Sequence, residues 1–106
     1  MAKYLFQGSY TVEGVKGLLK DGGSKRRAVA QQAIESAGGR LEAFYFSFGK
    51  HDVVALVDAP DNASVAAISL AISASGAFGG RTTVLLTPEE IDQAAKKTVR
   101  YRPPGT

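Results

Sequence analysis

The stretch SFGKHDVVALVDAP, residues 47–60, decides the fold because it places a glycine turn between two β-rich runs. Aromatic residues dominate the first run, 40–48, and aliphatic residues dominate the second, 51–58. Gly49 and Lys50 join the runs, and a two-residue loop that contains glycine predicts a β-hairpin. The proline that closes the stretch cannot donate a hydrogen bond to a neighbouring strand, so the second strand ends before it.

The rest of the chain alternates between strand and helix patterns. The predicted order is a strand at 3–10, a weak helix at 11–20, a helix at 24–37, the hairpin, a helix at 61–75, a strand at 81–87 and a short helix that begins at Pro88. Ser24 is the predicted N-cap of the second helix, and Gly38 supplies its stop. This order predicts an α+β ferredoxin-like fold, βαββαβ, with one four-stranded antiparallel sheet, both long helices on one face and a short C-terminal helix.

The composition of the chain fits a single globular domain of 106 residues, because 44% of the residues are hydrophobic and 22% are charged. We place this domain at residues 1–98, followed at 99–106 by an irregular tail or an arm that packs on a neighbour. The absence of cysteine excludes disulfide bonds, thiolate metal sites and thiol nucleophiles. The chain has neither a signal-peptide pattern nor a long apolar run, which predicts a cytoplasmic protein without a membrane partner.

The charge of the chain is unevenly distributed along the sequence. The net charge is +3, but residues 1–27 carry +4, residues 28–95 carry −5 and residues 96–106 carry +4. Nucleic-acid-binding domains usually present a basic face with interleaved aromatic residues. Here the aromatic residues lie mostly in the acidic middle, so the pattern argues against a nucleic-acid partner.

The register of the hairpin predicts apolar residues on both faces of the sheet. With a two-residue loop, the cross-strand pairs are Phe48 with His51, Phe46 with Val53, Tyr45 with Val54, Phe44 with Ala55 and Ala43 with Leu56. We expect the helices to cover the face of Tyr45, which leaves the even-numbered aromatic residues and His51 on an open face. A monomer rarely exposes so large an apolar patch, so we expect a second copy to cover it in a homodimer or a higher homo-oligomer.

Short motifs along the chain resemble those of the GYD domain family, over about residues 4–90. The motifs are TVEG at 11–14, SKRR at 24–27, a Gly-Gly pair before the second strand, GKHD at 49–52, APD at 59–61 and an Arg-Thr pair at 81–82. Their order and spacing together carry the resemblance, since none of them is specific alone. The naming motif of the family is Gly-x-Tyr-Asp, so His51 stands where the family has tyrosine.

The resemblance implies a fold but no reaction. The family, of small bacterial and archaeal proteins, resembles the dimeric α/β barrel superfamily, in which two ferredoxin-like sheets pack face to face. Its function is uncharacterised, and we expect no cofactor. A role of the family tyrosine hydroxyl would be altered here, although His51 keeps a hydrogen-bonding ring at the same position.

His51, the only histidine, is the first candidate for chemistry, since histidine can act as an acid, a base or a ligand near neutral pH. The alternative is a hairpin residue whose ring covers Phe48. Adjacent strand residues point to opposite faces, so Asp52 is not expected to orient His51. The expected role of Asp52 is a structural cap or an ion pair with the basic residues at 25–27, and a contact with a ligand is the alternative.

Three functions are open from the sequence. The first is a homo-oligomeric module that binds a small apolar or aromatic molecule in a pocket on the aromatic sheet face, rimmed by Tyr10, Phe46, Phe48 and His51. The second is a cofactor-independent oxygenase or isomerase that uses His51 as its general base. The third is a purely structural assembly protein. Fold analogy does not choose among them.

The basic segment DGGSKRR is a candidate anion site, because glycine-rich backbone and positive charge meet at the start of a helix. The candidate residues are Ser24, Lys25, Arg26 and Arg27. The segment lacks the spacing of a P-loop, so a solvated loop is the alternative. With one histidine and no cysteine we expect no metal site, and haem would require His51 as its axial ligand.

Overall fold

The computed structural model describes every residue from Met1 to Thr106. Its elements, in chain order, are β1 (Ala2–Tyr10), α1 (Val12–Asp21), α2 (Gly23–Ser36), β2 (Arg40–Phe46), β3 (Val53–Ala59), α3 (Asn62–Ala74), β4 (Phe78–Leu85) and α4 (Pro88–Ala95). The strands form one antiparallel sheet in the order β2-β3-β1-β4, which confirms the predicted ferredoxin-like α+β arrangement. None of the helices has both the length and the apolar character needed to span a membrane.

The register of the hairpin is the predicted one, but its turn is not. Phe46 pairs with Val53 and Phe44 pairs with Ala55, and a bulge at Glu42 shifts the pairing further along β2. The predicted two-residue turn is wrong, because β2 ends at Phe46, β3 begins at Val53 and a longer loop, 47–52, joins them.

The hydrogen bonds of loop 47–52 explain why the turn is longer. The Ser47 backbone N–H donates to the Asp52 carbonyl at 2.8 Å, and the Ser47 hydroxyl donates to the His51 carbonyl. The Asp52 N–H donates to the Gly8 carbonyl of β1, also at 2.8 Å. The loop is therefore held to β1 as well as to itself, and the predicted pair of Phe48 with His51 is not formed.

Residues 11–36 form two helices that are separated at Gly22. Gly22 has a φ of 84°, in the left-handed region that glycine adopts without strain, and its N–H donates to the Leu18 carbonyl at 2.8 Å. The second helix, α2, begins at Gly23, with Gly22 in the N-cap position and no side-chain cap. The predicted N-cap at Ser24 is therefore wrong, because the helix starts before that residue.

The N-terminus of α1 is fastened to the turn that precedes β4. The Thr11 hydroxyl accepts the Gly14 N–H at 3.2 Å and donates to the Gly76 carbonyl at 2.9 Å. The Thr11 N–H donates to the Ala77 carbonyl at 3.0 Å. Gly14 lies so close to this turn that a Cβ on it would be 1.9 Å from the Ala77 oxygen. A glycine that weakens the helix is thus required by the packing of the helix.

The long helices leave a gap over the centre of the sheet. Helix α2 packs on β2, whereas α3 packs on β4 and β3. The buried core between the helices and the sheet consists of Tyr4, Ile34, Val57, Ala59 and Val65. The Tyr4 hydroxyl donates to Asn62 Oδ1 at 2.6 Å, which ties the central strand β1 to the start of α3.

The face that the helices cover is the opposite of the predicted one. Phe44 and Ala55 point towards α2 and α3, and Phe6 of β1 lies beside them. Their neighbours Tyr45 and Val54 lie on the other face, because successive strand residues alternate. The prediction was wrong because both faces of the hairpin are apolar, so the alternation of residues does not tell which face is covered. The side of the helices is fixed instead by the right-handed crossover from β1 to β2, which the alternation does not encode.

The face without helices, which we call the outer face, consists of three rows across the sheet. They are a charged row of Arg40, Asp58, Lys3 and Leu85, an apolar row of Ala43, Leu56, Leu5 and Thr83, and a mixed row of Tyr45, Val54, Gln7 and Arg81. The apolar row lies between the other two. No element of the domain packs over it, so this part of the sheet faces outward.

Residues 86–106, which we call the C-terminal arm, stand away from the domain. Every residue of the arm is exposed. The molecule is 58 Å long and its radius of gyration is 17.1 Å, whereas a compact chain of this length would have a radius of about 13 Å. The arm is therefore not packed into the core of its own domain.

Candidate ligand pocket

The gap between α2 and α3 opens into a pocket of about 130 Å³. The inner face of the sheet forms its floor. Ala30 and Ala33 of α2 line one wall, and Ile68 and Ile72 of α3 line the other. The short alanine side chains do not fill the space between the helices, so the sheet beneath them stays accessible.

Aromatic rings from the strands line the floor of the pocket. Phe78 of β4 stacks on Phe6 of β1, with ring centroids 5.8 Å apart, and meets the edge of Tyr10 at 4.9 Å. Gly8 makes this arrangement possible, since a Cβ on it would be 2.4 Å from the Phe78 ring. Phe44 lies across the sheet on β2. Because aromatic pairs favour such offset and edge contacts, the rings form a fixed apolar surface.

Few polar groups reach the pocket. Arg26 is the one charged residue of its lining, and Arg26 Nη1 lies 3.8 Å from Asp21 Oδ2, beyond hydrogen-bond distance. The hydroxyls of Ser69 and Thr82 bond to each other at 3.2 Å. No group of three or more histidine, cysteine, aspartate or glutamate side chains is placed to hold a metal ion. The arrangement can hold an apolar body, with Arg26 beside it for a polar substituent.

The four residues that were predicted to rim a pocket are not brought together. Tyr10 lines the pocket between the helices. Phe46 lies outside the lining, with its ring 5.3 Å from that of Phe44. Phe48 is fully exposed, and the half-buried His51 does not line the pocket. The aromatic face borders a pocket, but beneath the helices rather than on an open surface, because α2 and α3 lie on that side.

The four candidate anion-site residues at 24–27 lie in different surroundings. Lys25 and Arg26 both approach Asp21, at 3.7 and 3.8 Å, and Arg27 lines a separate groove beside β2. Ser24 is exposed at the start of α2. Successive residues of a helix point about 100° apart, so neighbours in the sequence diverge on its surface. Of the four candidates, Arg26 alone reaches the pocket.

Asp52 fastens loop 47–52 to the neighbouring strand. Its Oδ2 accepts the backbone N–H of Tyr10 at 3.0 Å, while its own N–H donates to the Gly8 carbonyl. The cap that was expected of Asp52 is therefore on a strand rather than on a helix. The expected ion pair with the basic residues at 25–27 is not formed, since two of those residues approach Asp21 instead.

Most residues of the pocket lining were not predicted from the sequence, although the pattern of β1 indicates which side of the sheet is buried. Phe6, Phe44 and Phe78 line the floor but were not among the predicted site residues. In β1 the aromatic residues at even positions alternate with polar residues such as Lys3 and Gln7. That alternation marks the even side as the buried one.

The charged row of the outer face is a second cluster of polar side chains. Asp58 is buried, at 6% exposed, and accepts a hydrogen bond from Arg40 Nη2 at 2.7 Å. Lys3 Nζ lies 3.1 Å from Asp58 Oδ1 and also pairs with Glu42. The hydrogen bonds from Arg40 and, next, from Lys3 hold the pKa of Asp58 below its ordinary value of 3.8.

Substituting Asp58 should change how stability depends on acid pH. A carboxyl group whose pKa is lowered by folding contributes stability that is present above its unfolded pKa and lost as the pH falls through the lower folded pKa. Between pH 7 and pH 3, the free energy of unfolding should therefore fall more for the parent than for Asp58→Asn. Urea denaturation at both pH values measures the two losses, and equal losses would contradict the assignment. Asp61, whose pKa is also lowered, by the Ser64 backbone N–H, is present in both proteins. Its contribution to the loss of stability is therefore the same in the two and does not affect the comparison.

Comparison with known families classifies the chain. The profile of the GYD domain matches residues 4–95, which run from β1 to the end of α4. The chain belongs to the GYD domain family. This confirms the resemblance of the short motifs. Comparison with curated proteins and with solved structures gives no match.

Two GYD motifs have structural roles in this chain. The glycine of the TVEG motif, Gly14, is the close contact between α1 and the turn before β4. The aspartate of the naming motif, Asp52, binds the N–H of Tyr10. Gly49 of the same motif lies in open space, with no atom close to where a Cβ would be. The naming motif in this GYD protein thus fastens a loop beside the pocket, and His51 does not take part in that bond.

Proposed function

We propose that the protein binds a small apolar molecule, about the size of one aromatic ring, in the pocket between α2 and α3, and that it does so as a homo-oligomer. The observation that supports binding is about 130 Å³ of space lined almost wholly by apolar side chains.

The size and the lining of the pocket restrict the class of ligand. A cavity of roughly 150 Å³ with apolar walls can hold benzene, whereas drug-sized ligands need about 300 Å³ or more. One ring with a short substituent is the class that fits. Arg26 favours a substituent that accepts hydrogen bonds, such as a carboxylate or a carbonyl, because the guanidinium presents several donors.

The geometry gives less support to catalysis by His51. A general base must come within about 2.6–3.2 Å of the group from which it removes a proton. The His51 side chain lies on loop 47–52 and does not line the pocket. Binding, rather than proton transfer by His51, is therefore the function we propose for this pocket.

The outer face supports the homo-oligomeric part of the proposal. Leu5, Leu56 and Val54, each partly exposed, lie together on a face that no helix covers. An antiparallel sheet that faces water on one side usually presents polar residues there, and monomers rarely expose a large contiguous apolar patch. A second copy of the chain would bury these residues. Light scattering at micromolar protein should give a multiple of the chain mass, and a monomer would contradict this part of the proposal.

Titration with toluene tests the pocket. Toluene should shift the methyl NMR signals of Ala30, Ala33 and Ile72, which line the pocket, and the shifts should saturate. A ligand of this size is expected to bind with a dissociation constant of about 1 mM or lower. The exposed methyl groups of Leu19 and Leu70 are the internal control and should not shift. Absence of saturable shifts, or equal shifts at the control methyl groups, would contradict the proposal.

A further inference from the structure

The helix of the C-terminal arm is well formed at its start. The Glu90 N–H donates to the Thr87 hydroxyl at 3.1 Å, and the Thr87 N–H donates to the Glu90 side chain at 3.0 Å. This capping box and Pro88 at the beginning of α4 define the helix locally. However, α4 has eight residues, and isolated helices shorter than about 12–15 residues are marginal in water. A helix of this length needs a surface to pack on.

The arm does not find that surface within its own chain. Its apolar residues Leu86, Ile91, Val99 and Tyr101 are each more than half exposed. They are spread over sixteen residues, so the arm offers apolar side chains along most of its length. The molecule measures 58 Å along its longest axis and 32 Å along the next, as expected for a domain with a projecting arm.

The same chain carries a second apolar surface without a cover, the outer face. Its apolar residues Ala43, Leu56 and Leu5 lie side by side on β2, β3 and β1, and Thr83 of β4 ends the row. The arm follows directly after β4, an edge strand of that sheet. Every copy therefore carries two uncovered apolar surfaces, the arm and the outer face. Each of them could cover the other.

We infer that the C-terminal arm of one copy packs on the outer face of a second copy, and that the second arm does the same in return. This rests on the homo-oligomeric part of the proposed function and specifies which segment makes the contact. Exchange of two identical arms gives a closed, isologous dimer in which each outer face is covered once. It also gives α4 the packing surface that a short helix requires.

Charge substitutions in the arm test the inference in the full chain. Ile91→Asp and Val99→Asp place a carboxylate where the arm meets the partner, so each should raise the dimer dissociation constant at least tenfold. Leu70→Asp, at an apolar position on α3 whose exposure lies between those of Ile91 and Val99, is the matched control and should leave the dissociation constant unchanged. Analytical ultracentrifugation measures all three, and circular dichroism confirms that each variant is folded.

Cross-linking between different chains distinguishes exchange from an arm that folds back on its own sheet. Because the protein has no cysteine, Ile91→Cys in one chain and Gln7→Cys in another provide a unique pair. A short bis-maleimide should join the two chains, and Leu70→Cys in place of Ile91→Cys should give no product. In a chain that carries both Ile91→Cys and Gln7→Cys, a cross-link that forms only within that chain would overturn the inference. A dimer unaffected by the arm variants would also overturn it while leaving the homo-oligomer intact, whereas a monomeric parent would overturn both.

Discussion

Gly14→Ala should lower the free energy of unfolding by about 2–3 kcal/mol, in the upper part of the range of about 1–3 kcal/mol for inserting a carbon atom into a tightly packed site. The added Cβ would lie 1.9 Å from the Ala77 oxygen, and this neighbour is backbone, which cannot rotate away. Moving it would also lengthen the 3.0 Å bond from the Thr11 N–H. The displacement reaches Tyr10, whose ring would lie 3.0 Å from the new atom. We expect the melting temperature to fall by roughly 10 °C.

The same substitution at Gly17 is the control for this prediction. Gly17 lies one turn further along α1 and has no atom near the position of a Cβ. Alanine is better than glycine in a helix by about 1 kcal/mol, so Gly17→Ala should stabilise the protein by up to that amount. Opposite signs for the two variants, measured by urea denaturation, would show that packing outweighs helix propensity at Gly14. Equal stabilisation of both would contradict the close contact.

Ala30→Leu should weaken toluene binding at least tenfold. Ala30 lines the wall that α2 contributes, and the three added carbon atoms would occupy much of the 130 Å³ that the ligand needs. Leucine is nearly as good as alanine in a helix, so the backbone need not change. Filling the cavity should also raise the free energy of unfolding, by about 0.5–2 kcal/mol. The NMR titration and urea denaturation measure the two effects.

Ala66→Leu is the matched control, since Ala66 lies on the exposed side of α3. It adds the same side chain to a helix without reaching the pocket, so toluene affinity should equal that of the parent. Weaker binding by both variants would indicate an indirect effect on the fold. Unchanged binding by Ala30→Leu would show that toluene does not enter between the helices.

The topology and the strand pairing could be predicted from the sequence because they depend on local patterns. The β-rich runs around Gly49 fixed the register that pairs Phe46 with Val53. Stripes of apolar residues at helical spacing located α2 and α3, and Pro88 marked the start of α4. Each of these signals lies within a few residues of the element that it predicts.

The location of the pocket could not be predicted from the hairpin alone, because it depends on the side of the sheet that the helices cover. Phe44 and Tyr45 are adjacent and both aromatic, so the hairpin is compatible with helices on either face. Loop 47–52 was mispredicted for a similar reason. Two of the bonds that hold it involve Gly8 and Tyr10 of a strand more than forty residues earlier, and no local pattern contains these two bonds.

His51 shows the consequence for the candidate site. The sequence singled it out as the only histidine, and the predicted two-residue turn placed it on the aromatic face. The longer loop carries it outside the pocket lining, while Tyr10 remains within the lining. Its neighbour Asp52 has a defined partner instead, the N–H of Tyr10. The chemistry of this GYD protein is therefore to be sought between the helices.

A crystal structure of the protein with bromobenzene would show whether the space between α2 and α3 is a ligand site. We expect an anomalous bromine peak between Ala30 and Ile72, above the ring of Phe6, with the helices no closer together than in the free protein. Helices that close over Phe6 and leave no density there would contradict it.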